Sequence, residues 1–464
     1  MIFDSIVLAA GKGTRMKSAI SKVLHDFAGR KIVFFPVRAA IERGAARVIV
    51  VCSEENRAAL EEYLGAAFGR ERIVCVVQTQ QRGTGDAARV GIDACQAEHV
   101  CILCGDTPLI ESRDLACLTE SRSDLDLSVL SCRLENPTGY GRILRDASGA
   151  VKAIREHRDA TDAERAVNEV NAGIYFGKVK ALRAALTEIA PNNDQNEYYL
   201  TDVVSILART GRVEAQIGSA DALLGINDRE QLEVLEQKML ARIRTRLRVS
   251  GVTVRGDACI DDGVEVEPDC VIESGVQLRG ACRIGAGTHI DVGSVLTNAT
   301  VGAGTKVLPY TIMTDSSVGN KAQIGPFSHL RPASIIEDDA HVGNFVETKK
   351  TRLRRGAKAN HLSYLGDGDV GEKANIGAGT IFCNYDGYRK QPTIIGAGAF
   401  IGSDSQLVAP VVVGKGAYVA TGTTVVKDVP EDALAIGRAQ QMNKEGYAAR
   451  LKGRLAAQAG KKPA

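Results

Sequence analysis

An aliphatic residue recurs every six positions over most of the chain beyond residue 253, and this period constrains the fold more than any single motif. Helical faces recur at about 3.6 residues and strands at about two, so neither element explains a period of six. One short strand plus one turn does, if such units stack as the sides of a parallel β-helix. The repeat runs in four phases: Val254 to Leu296, Ile312 to Val342, Val370 to Phe382 and Ile395 to Val425.

Small residues accompany the aliphatic repeat. Glycine often follows the aliphatic residue, as at Gly285, Gly302 and Gly343. We expect it at corners where the backbone takes a conformation that a Cβ would strain. A second set lies four positions after the aliphatic residue and is expected to point inward too: Val264, Cys270, Cys282, Thr288 and Ser294.

The repeat changes register twice in its second half. Residues 349–369 (KKTRLRRGAKANHLSYLGDGD) are polar, and residues 383–392 (CNYDGYRKQP) interrupt the last phase. We expect both segments to leave the β-helix as surface loops, where binding and catalytic residues are commonly placed.

The first half has a different pattern. Short apolar runs alternate with helix-like stretches, which predicts an α/β domain with a parallel sheet covered on both faces. The apolar runs are residues 3–10, 46–52, 72–78 and 99–104. Residues 228–247 predict an amphipathic helix with an apolar stripe from Leu232 to Leu247. The predicted organisation is an α/β domain at 1–226, a helical linker at 227–250 and a β-helix with a basic C-terminal tail at 251–464.

Composition limits the possible partners. The net charge of +2 gives no overall attraction to nucleic acid or membranes, so neither partner is expected. The sequence has no signal-like N-terminus and no long apolar run, which favours a cytoplasmic protein. Eleven cysteines, mostly in apolar runs, predict reduced and buried thiols. Cys101-x-x-Cys104 lies within a predicted strand, which does not favour a redox motif.

A glycine turn follows the first predicted strand. The glycines of Gly11-Lys12-Gly13 could turn their N–H groups toward phosphates, although the spacing is not that of a dinucleotide-binding loop or a P-loop. The whole segment from Leu8 to Met16 resembles the signature of sugar-1-phosphate nucleotidylyltransferases. In that family the signature continues to Pro-Lys-Val-Leu, whereas this chain has Ser21-Lys22-Val23-Leu24.

Attack of a sugar 1-phosphate on a nucleoside triphosphate requires alignment, cations and a divalent metal. Arg15 and Lys22 are the candidate catalytic cations. Asp106 follows a strand at the end where α/β sheets hold ligands, and is a candidate Mg²⁺ ligand. The resemblance implies Asn227 as the second ligand; the alternative for either residue is a turn or helix-cap role.

The resemblance also implies the nucleotide and sugar contacts. Gln78, Gly83 and Thr84 match the segment that reads uracil, and Gly141, Glu156 and Asn171 match the contacts to N-acetylglucosamine. Cys104 stands where the family commonly has tyrosine. The remaining residues implied to bind UTP and the UDP-sugar are Leu8, Ala9, Ala10, Gly11 and Gly105.

The second half resembles the acetyltransferase domain of bifunctional N-acetylglucosamine-1-phosphate uridylyltransferase/glucosamine-1-phosphate acetyltransferases. That family has a left-handed hexapeptide β-helix, uses acetyl-CoA and forms homotrimers. His361 would be the general base, because an imidazole titrates in the range needed to deprotonate the amine. The sugar phosphate would be bound by Arg331, Lys349, Tyr364, Asn375 and Lys390. The acetyl-CoA residues would be Ala378, Asn384, Tyr385, Ser403, Arg438 and Thr421, the last of which is usually alanine in the family.

Three other functions remain open. A zinc-dependent carbonic anhydrase would need a histidine cluster, for which His289, His329, His341 and His361 are available. A single-function nucleotidylyltransferase that makes an ADP- or GDP-sugar is a closer alternative, although its β-helix tail would be shorter. A regulatory β-helix without catalytic activity is the third. The favoured hypothesis is a bacterial enzyme that makes UDP-N-acetylglucosamine for cell-wall precursors from UTP, acetyl-CoA and glucosamine 1-phosphate, with Mg²⁺.

Overall fold

A computed structural model of the chain describes residues 2–120 and 124–460. The chain folds into two compact units. The first unit extends to Thr245 and includes Asp261–Gly263. The second comprises Arg246–Ile260 and the chain from Val264 onward.

The first unit alternates strands and helices. Its strands are β1 (Phe3–Leu8), β2 (Asp26–Phe27), β3 (Arg30–Lys31), β4 (Val48–Cys52), β5 (Ile73–Val77), β6 (His99–Cys104), β7 (Leu127–Arg133), β8 (Arg142–Arg145), β9 (Val151–Arg155), β10 (Glu169–Lys178) and β11 (Val213–Ile217). Its helices are α1 (Phe34–Glu42), α2 (Glu54–Phe68), α3 (Thr84–Ala94), α4 (Ala116–Thr119), α5 (Asp162–Arg165), α6 (Val179–Glu188), α7 (Asp202–Thr210) and α8 (Arg229–Val249), which continues into the second unit. Short 3₁₀ turns lie at Thr14–Met16, Lys22–Leu24, Ser112–Leu115 and Ala220–Leu223.

The predicted α/β sheet is confirmed. Its order is β11-β7-β10-β6-β1-β4-β5, and the four strands expected from the apolar runs lie side by side and parallel. Strand β10 is antiparallel to both β6 and β7, so the sheet is mixed, while β8 and β9 form a hairpin beside it. Separate clusters of buried aliphatic residues cover the two faces, which explains why the strands are apolar without alternation.

The second unit is the predicted left-handed parallel β-helix, built from three parallel sheets that we name faces 1, 2 and 3. Face 1 contains Thr253–Val254, Val271–Ile272, His289–Ile290, Lys306–Val307, Gln323–Ile324, His341–Asn344, Lys358–His361, Asn375–Ile376, Phe400–Ile401, Tyr418–Val419 and Leu434–Ala435. Face 2 contains Cys259–Ile260, Gln277–Arg279, Val295–Thr297, Ile312–Thr314, His329–Leu330, Glu347–Lys349, Tyr364–Gly366, Ile381–Cys383, Gln406–Val408 and Thr424–Val425. Face 3 contains Glu265–Val266, Arg283–Ile284, Thr300–Val301, Ser317–Val318, Ile335–Ile336, Arg352–Leu353, Gly368–Val370, Thr393–Ile395 and Val411–Val413.

The register shift at 349–369 has a cause other than the expected loop. This segment forms ordinary coil, with strands on all three faces. Most of its polar side chains are at least partly exposed, whereas Thr351 and Ser363 are buried inside the coil. In some coils the chain between faces 2 and 3 is one residue shorter than in the others. The inward residue of face 3 then follows that of face 2 by five positions instead of six. The steps of five run from Leu296 to Val301, Met313 to Val318, Thr348 to Leu353 and Leu365 to Val370, all of which are buried. The loop prediction for 349–369 was therefore wrong.

The same shortened sides correct one residue of the predicted core. Ile312 is 44% exposed, whereas Met313 is completely buried. A period of strictly six residues placed the inward position one residue too early. The prediction for residues 383–392 is confirmed, because between Cys383 and Thr393 the chain leaves the faces at the corner between faces 2 and 3.

The repeated glycine serves close packing between coils. Gly285, Gly302 and Gly343 do not have positive φ angles, contrary to the expected strain at a corner. A Cβ on Gly285 would lie 2.7 Å from the Ala303 nitrogen in the next coil, and one on Gly343 would lie 2.1 Å from the Asn360 oxygen. The second set of inward residues is confirmed, and Thr288 and Ser294 donate their hydroxyls to backbone carbonyls inside the coil.

The basic segment after Ile436 contains a helix, α9 (Tyr447–Gln458), with no buried residue. Over the described parts of the chain, no helix is both long and apolar enough to span a membrane. All eleven cysteines are free thiols, as predicted, but only five of them are buried and Cys117 is exposed.

Candidate active sites

The carboxyl ends of β1 and β6 bring two predicted segments together in the first unit. Leu8 is opposite Cys104 in the parallel register, and the Gly105 N–H donates to the Leu8 carbonyl at 2.9 Å. A Cβ on Gly105 would lie 2.8 Å from that same oxygen. Glycine at 105 therefore allows the segment that carries Asp106 to approach the glycine turn.

Four predicted residues meet at this edge of the sheet. The Lys22 ammonium contacts the Asp106 carboxylate and lies 3.4 Å from the Asn227 Oδ1. The Arg15 guanidinium donates to the same Asn227 oxygen at 2.8 Å. The Lys22 and Asp106 side chains are 13% and 22% exposed, so this charge cluster is partly shielded from water yet open to a ligand.

The cap alternative for Asn227 can be tested by geometry. The backbone N–H of Gln231 donates to Asp228 Oδ1 at 2.8 Å, so Asp228 provides the side-chain cap of α8. The side-chain oxygen of Asn227 instead accepts from Arg15 and Lys22. Asn227 is thus free of the capping role and faces the candidate site.

A cavity of about 390 Å³ opens beside the charge cluster. Seven predicted site residues line it: Arg15, Cys104, Asp106, Gly141, Glu156, Asn171 and Asn227. Strand β10 shifts register against β7 between Asn171 and Tyr175, which is the kind of irregularity that re-aims side chains near sites. Within it, Asn171 accepts from the Gly173 N–H and donates to the Tyr175 hydroxyl.

Two acidic groups of the cavity have perturbed proton affinities. Burial raises the pKa of the Glu156 carboxyl, which accepts a hydrogen bond from Thr201 at 3.2 Å. Burial also raises the pKa of the Cys104 thiol to about 12, so this side chain is a neutral thiol at physiological pH. A small neutral group therefore occupies the position where the nucleotidylyltransferase family commonly has tyrosine.

The predicted base-reading segment lies at the start of α3. Gln78 is buried and donates to Asp86 at 2.9 Å, and Thr84 accepts from the Leu200 N–H at 3.1 Å. Gly83 has a φ of 109°, and a Cβ there would lie 2.6 Å from the Tyr198 carbonyl. A second cavity of about 290 Å³ is lined by Ala10 and Gly11, and Gln81 donates to the Ala10 carbonyl at its wall. The contact between Gln78 and uracil stays a prediction.

In the second unit, His361 ends a strand of face 1 and is exposed. Asn344 is its neighbour in the coil below, and the Asn344 Oδ1 lies 2.9 Å from the His361 Nδ1. Arg354 and Arg355, which the sequence places near His361, are paired with Asp369 and Asp339. The side chain in contact with the histidine ring is therefore an asparagine that the sequence analysis did not identify.

The residues predicted to bind the sugar phosphate lie mainly on face 2. The backbone N–H of Arg331 donates to the Thr348 carbonyl. In the parallel register of the next two strands, Lys349 is paired with Gly366 and Glu347 with Tyr364. These contacts place Arg331, Lys349 and Tyr364 on three successive coils, and the Arg331 guanidinium is paired with Glu347 at 2.7 Å. Asn375 lies on face 1 and Lys390 in the loop at 384–391, so the five residues are distributed over two faces and a loop.

Four of the six predicted acetyl-CoA residues form a column along the corner between faces 1 and 2: Ala378, Ser403, Thr421 and Arg438. Hydrogen bonds join successive coils there. The backbone N–H groups of Asp404 and Gly422 donate to the Ala378 and Ser403 carbonyls, and the Arg438 guanidinium donates to the Thr421 carbonyl. At the other edge of face 2, Asn384 is buried and donates to the Asp367 carboxylate at 2.6 Å. The Tyr385 hydroxyl donates to the Gly387 carbonyl within the exposed loop.

Sequence reasoning missed several residues of these sites. Asn344 and Asp367 contact predicted residues from neighbouring coils, and the hexad pattern identifies inward positions only. From the first turn of α2, Asn56 contacts Ala9 and Ser21, which lie before and after the glycine turn. Its only sequence signal is the spacing Ser53-x-x-Asn56 after an apolar strand, which is typical of a helix start.

No group of three or more His, Cys, Asp or Glu side chains suited to a metal ion occurs in the described residues. His289 and His341 lie on face 1, three coils apart, and His329 lies on face 2. The histidines proposed for a zinc site are therefore not clustered.

Comparison with known proteins agrees with the two-part organisation. Residues 4–225 match the family model described as nucleotidyl transferase, which defines the class of the first unit. The bifunctional protein GlmU of Sorangium cellulosum is 57% identical over 461 residues and covers 97% of both chains. The corresponding proteins of Anaeromyxobacter sp. strain Fw109-5 and Pelobacter propionicus are 48% and 42% identical, over 97% of this chain and 93% and 98% of their own. The chain belongs to the family of bifunctional GlmU proteins.

Proposed function

We propose that this chain makes UDP-N-acetylglucosamine in two steps. Acetyl-CoA and glucosamine 1-phosphate give N-acetylglucosamine 1-phosphate, which reacts with UTP to give the nucleotide sugar and pyrophosphate. The observation that carries the proposal is the meeting of Arg15, Lys22, Asp106 and Asn227 beside the cavity of about 390 Å³. The first unit, with residues 1–226, would transfer the uridylyl group, and the β-helix at 251–464 the acetyl group, with 227–250 as linker.

In uridylyl transfer, the sugar phosphate attacks the α-phosphorus of UTP and pyrophosphate leaves. No group of the protein needs to bond to phosphorus, so its work is alignment and charge stabilisation. Arg15 and Lys22 would neutralise the charge that accumulates on the phosphate oxygens. The backbone at Leu8, Ala9, Ala10, Gly11 and Gly105 would border the nucleotide, with Gln78, Gly83 and Thr84 at the base.

The oxygen donors at the charge cluster fit a magnesium ion. The Lys22 ammonium already lies between the Asp106 carboxylate and the Asn227 amide oxygen, so a cation is compatible with this space. Mg²⁺ usually binds one or two protein oxygens and completes its shell with water and substrate phosphates. When bound, it would supply positive charge to the reacting phosphates.

The cavity walls would select the sugar. Gly141, Glu156 and Asn171 line it with one backbone position, one carboxylate and one amide. Asn171 is held by Gly173 and Tyr175, so its amide is oriented before a ligand enters. Cys104 would leave more room than a tyrosine at the same position.

For acetyl transfer, His361 would act in the tautomer that its neighbour favours. The Asn344 Oδ1 lies 2.9 Å from Nδ1, and an amide oxygen only accepts, so Nδ1 would carry the proton and Nε2 would present a lone pair. The free Nε2 would accept a proton from the substrate amine as that amine attacks the thioester carbon, and CoA would leave as the thiol. Arg331, Lys349, Tyr364, Asn375 and Lys390 would bind the sugar phosphate, and the column with Ala378, Ser403 and Thr421 would border acetyl-CoA with Asn384, Tyr385 and Arg438.

A homotrimer is part of this proposal. The five sugar-phosphate residues are distributed over two faces and a loop of one chain, and neighbouring copies would complete the site. Exposed Tyr310, Phe327 and Phe345 stack at ring distances of 5.3 and 5.6 Å along one corner and offer an apolar surface to a second copy. A cytoplasmic location and a supply of cell-wall precursors complete the proposed role.

Separate supply of the substrates tests the proposal. Acetyl-CoA plus glucosamine 1-phosphate should release CoA thiol, and UTP plus N-acetylglucosamine 1-phosphate with Mg²⁺ should release pyrophosphate. ATP or GTP in place of UTP tests the alternative nucleotide sugars. Absence of both products would contradict the proposed function, whereas pyrophosphate without CoA would indicate a single-function nucleotidylyltransferase.

A further inference from the structure

The segment at 11–24, which begins with the glycine turn and is called the turn below, contains a serine where the family signature has proline. Ser21 precedes Lys22, and its backbone has φ −54° and ψ 135°. A proline ring would impose nearly this φ angle, about −65°. The chain therefore adopts the conformation of the signature without the ring that restricts it.

Asn56 contacts Ser21 from the first turn of α2. It is only 4% exposed, and its Nδ2 donates to the Ser21 hydroxyl oxygen and to the Ala9 carbonyl, both at 3.0 Å. Its Oδ1 accepts from the Ser53 N–H at 3.0 Å. Because the Ala9 group can only accept and the Ser53 group can only donate, these partners determine the orientation of the amide.

The contacts of Asn56 join three segments. Ala9 extends β1, and its own N–H donates to Val51 of β4 at 2.8 Å, so both of its backbone polar groups are held. Ser21 lies on the opposite arm of the turn, next to the lysine that meets Asp106. A single buried amide thus links the fixed strand end to the arm that carries the catalytic cation.

We propose that Asn56 is a positioning residue for uridylyl transfer. Through Ser21 it holds Lys22 toward Asp106, and its hydrogen bond replaces the rigidity that proline provides in the signature. Asn56 does not contact the charge cluster itself, so its effect passes through the backbone of the turn. This inference rests on the proposed uridylyl transfer.

Four variants of the full-length protein test it: Ser21→Ala, Ser21→Pro, Asn56→Ala and Asn56→Ala with Ser21→Pro. Pyrophosphate release gives kcat and KM for uridylyl transfer, and CoA release in the same preparations is the internal control. Amide hydrogen exchange over residues 11–24 reports the mobility of the turn independently of any activity.

Loss of one hydrogen bond should lower kcat about three- to tenfold in Ser21→Ala and Asn56→Ala, with the KM for UTP changing less than kcat. Exchange over residues 11–24 should accelerate in both. In Ser21→Pro, kcat should be close to the wild-type value and exchange slower than in Ser21→Ala. Adding Asn56→Ala to Ser21→Pro should change kcat and exchange little. CoA release should stay at the wild-type rate in all four.

Two results would overturn the proposal. If Ser21→Pro is as slow as Ser21→Ala, the hydroxyl acts directly on the ligand, since Ser21 also borders the cavity of about 290 Å³. If Asn56→Ala lowers kcat by the same factor with serine or proline at position 21, Asn56 acts through Ala9 or the α2 cap. If Asn56→Ala does not fold, the comparison of Ser21→Ala with Ser21→Pro still tests whether the hydroxyl acts by restricting the turn. Wild-type protein without pyrophosphate release would refute the proposed function, while the exchange data would still test the link between Asn56 and the turn.

Discussion

At the scale of single residues, the chemistry of each candidate group is set by one or two neighbours. Asn344 contacts the His361 ring, Thr201 donates to Glu156, and Asp228 caps α8 so that Asn227 remains available to Arg15. None of these partners is adjacent in sequence to a recognisable motif, apart from Asp228. Substitutions of the partners therefore test the site as directly as substitutions of the motif residues.

The pair of His361 and Asn344 gives the first prediction. His361→Ala should lower acetyl transfer by about 10²- to 10⁴-fold, the usual contribution of a positioned base. The loss should be partly recovered at high pH, where the substrate amine is already unprotonated. CoA release measured against pH would show this, and uridylyl transfer should be unchanged.

Matched variants of Asn344 separate orientation from packing. Asn344→Ala should slow acetyl transfer less than His361→Ala, whereas Asn344→Asp keeps an acceptor oxygen and should retain more activity than Asn344→Ala. Equal losses in both Asn344 variants would argue against an orienting hydrogen bond. Normal turnover of His361→Ala at neutral pH would exclude this residue as the base.

Glu156 gives a prediction in which stability and activity change in opposite directions. Burial raises the pKa of its carboxyl, so the folded state binds a proton more tightly than the unfolded state does. Its contribution to stability is therefore complete below the unfolded pKa and is lost as the pH rises through the folded pKa. Glu156→Gln should raise the Tm of the first unit at pH 8 and not at pH 4, as measured by calorimetry.

The same substitution should weaken sugar binding. Uridylyl transfer by Glu156→Gln should show a higher KM for N-acetylglucosamine 1-phosphate, because an amide replaces the carboxylate in the cavity wall. Thr201→Val is a control that removes only the hydrogen bond to Glu156. A Glu156→Gln variant that is less stable than the wild type at pH 8 would contradict the expected direction of the stability change.

At the scale of elements, the β-helix coil shows how the same residue type serves different purposes. Gly285 has no positive φ and lacks room for a Cβ, whereas Gly287 has a φ of 65° with no atom within 4 Å of a Cβ. Non-glycine residues such as Asp269 and Asn298 occupy positive φ at other corners of the β-helix. The corners therefore tolerate side chains more readily than the close-packed glycine positions do.

This difference gives a stability prediction. Gly285→Ala should destabilise the β-helix by about 1–3 kcal/mol, the usual cost of overpacking a well-packed interior. Gly287→Asn should cost less, since asparagine tolerates the left-handed conformation. Urea unfolding followed through the β-helix compares the two variants, and a larger loss in Gly287→Asn would contradict the packing argument.

At the scale of the whole molecule, the two proposed activities should be separable. In the proposed function, Asp106 would serve the phosphates of UTP, and acyl transfer by a histidine base would need no metal. Asp106→Ala should therefore abolish pyrophosphate release and leave CoA release near the wild-type rate, and EDTA should have the same selective effect. Arg212→Ala, on the first unit but away from the cavity, is the control. Loss of both activities in a folded Asp106→Ala protein would contradict two independent sites.

The proposed trimer is the last prediction. Light scattering at micromolar concentration should give three times the chain mass of 49.3 kDa. Phe327→Glu, in the middle of the exposed aromatic stack, should weaken association and acetyl transfer together, because neighbouring copies are proposed to complete that site. A monomer that still acetylates its substrate would refute this part of the proposal.

The order of the fold could be predicted from local pattern, whereas most of the candidate site residues were predicted from the resemblance to a known family. The hexad period identified inward positions such as Ile260 and Leu330, and the apolar runs identified β1, β4, β5 and β6. The prediction of inward positions failed where the spacing between successive inward residues changes. The coil can turn with a spacing of five residues as well as six, and a strict period of six therefore selected Ile312, whereas Met313 is the inward residue.

By itself the sequence determined the two architectures and the motifs at the ends of β1 and β6, because periodicity and short glycine-containing segments are local properties of a chain. Only the tertiary structure decided which side chains orient them. Asn56 reaches its partners from a helix, and Asn344 and Asp367 reach theirs from neighbouring coils; hydrogen bonds between residues distant in sequence depend on register and packing. No local pattern encodes such contacts, since the same asparagine or aspartate at the same spacing would face solvent if the neighbouring coil were shifted by one residue.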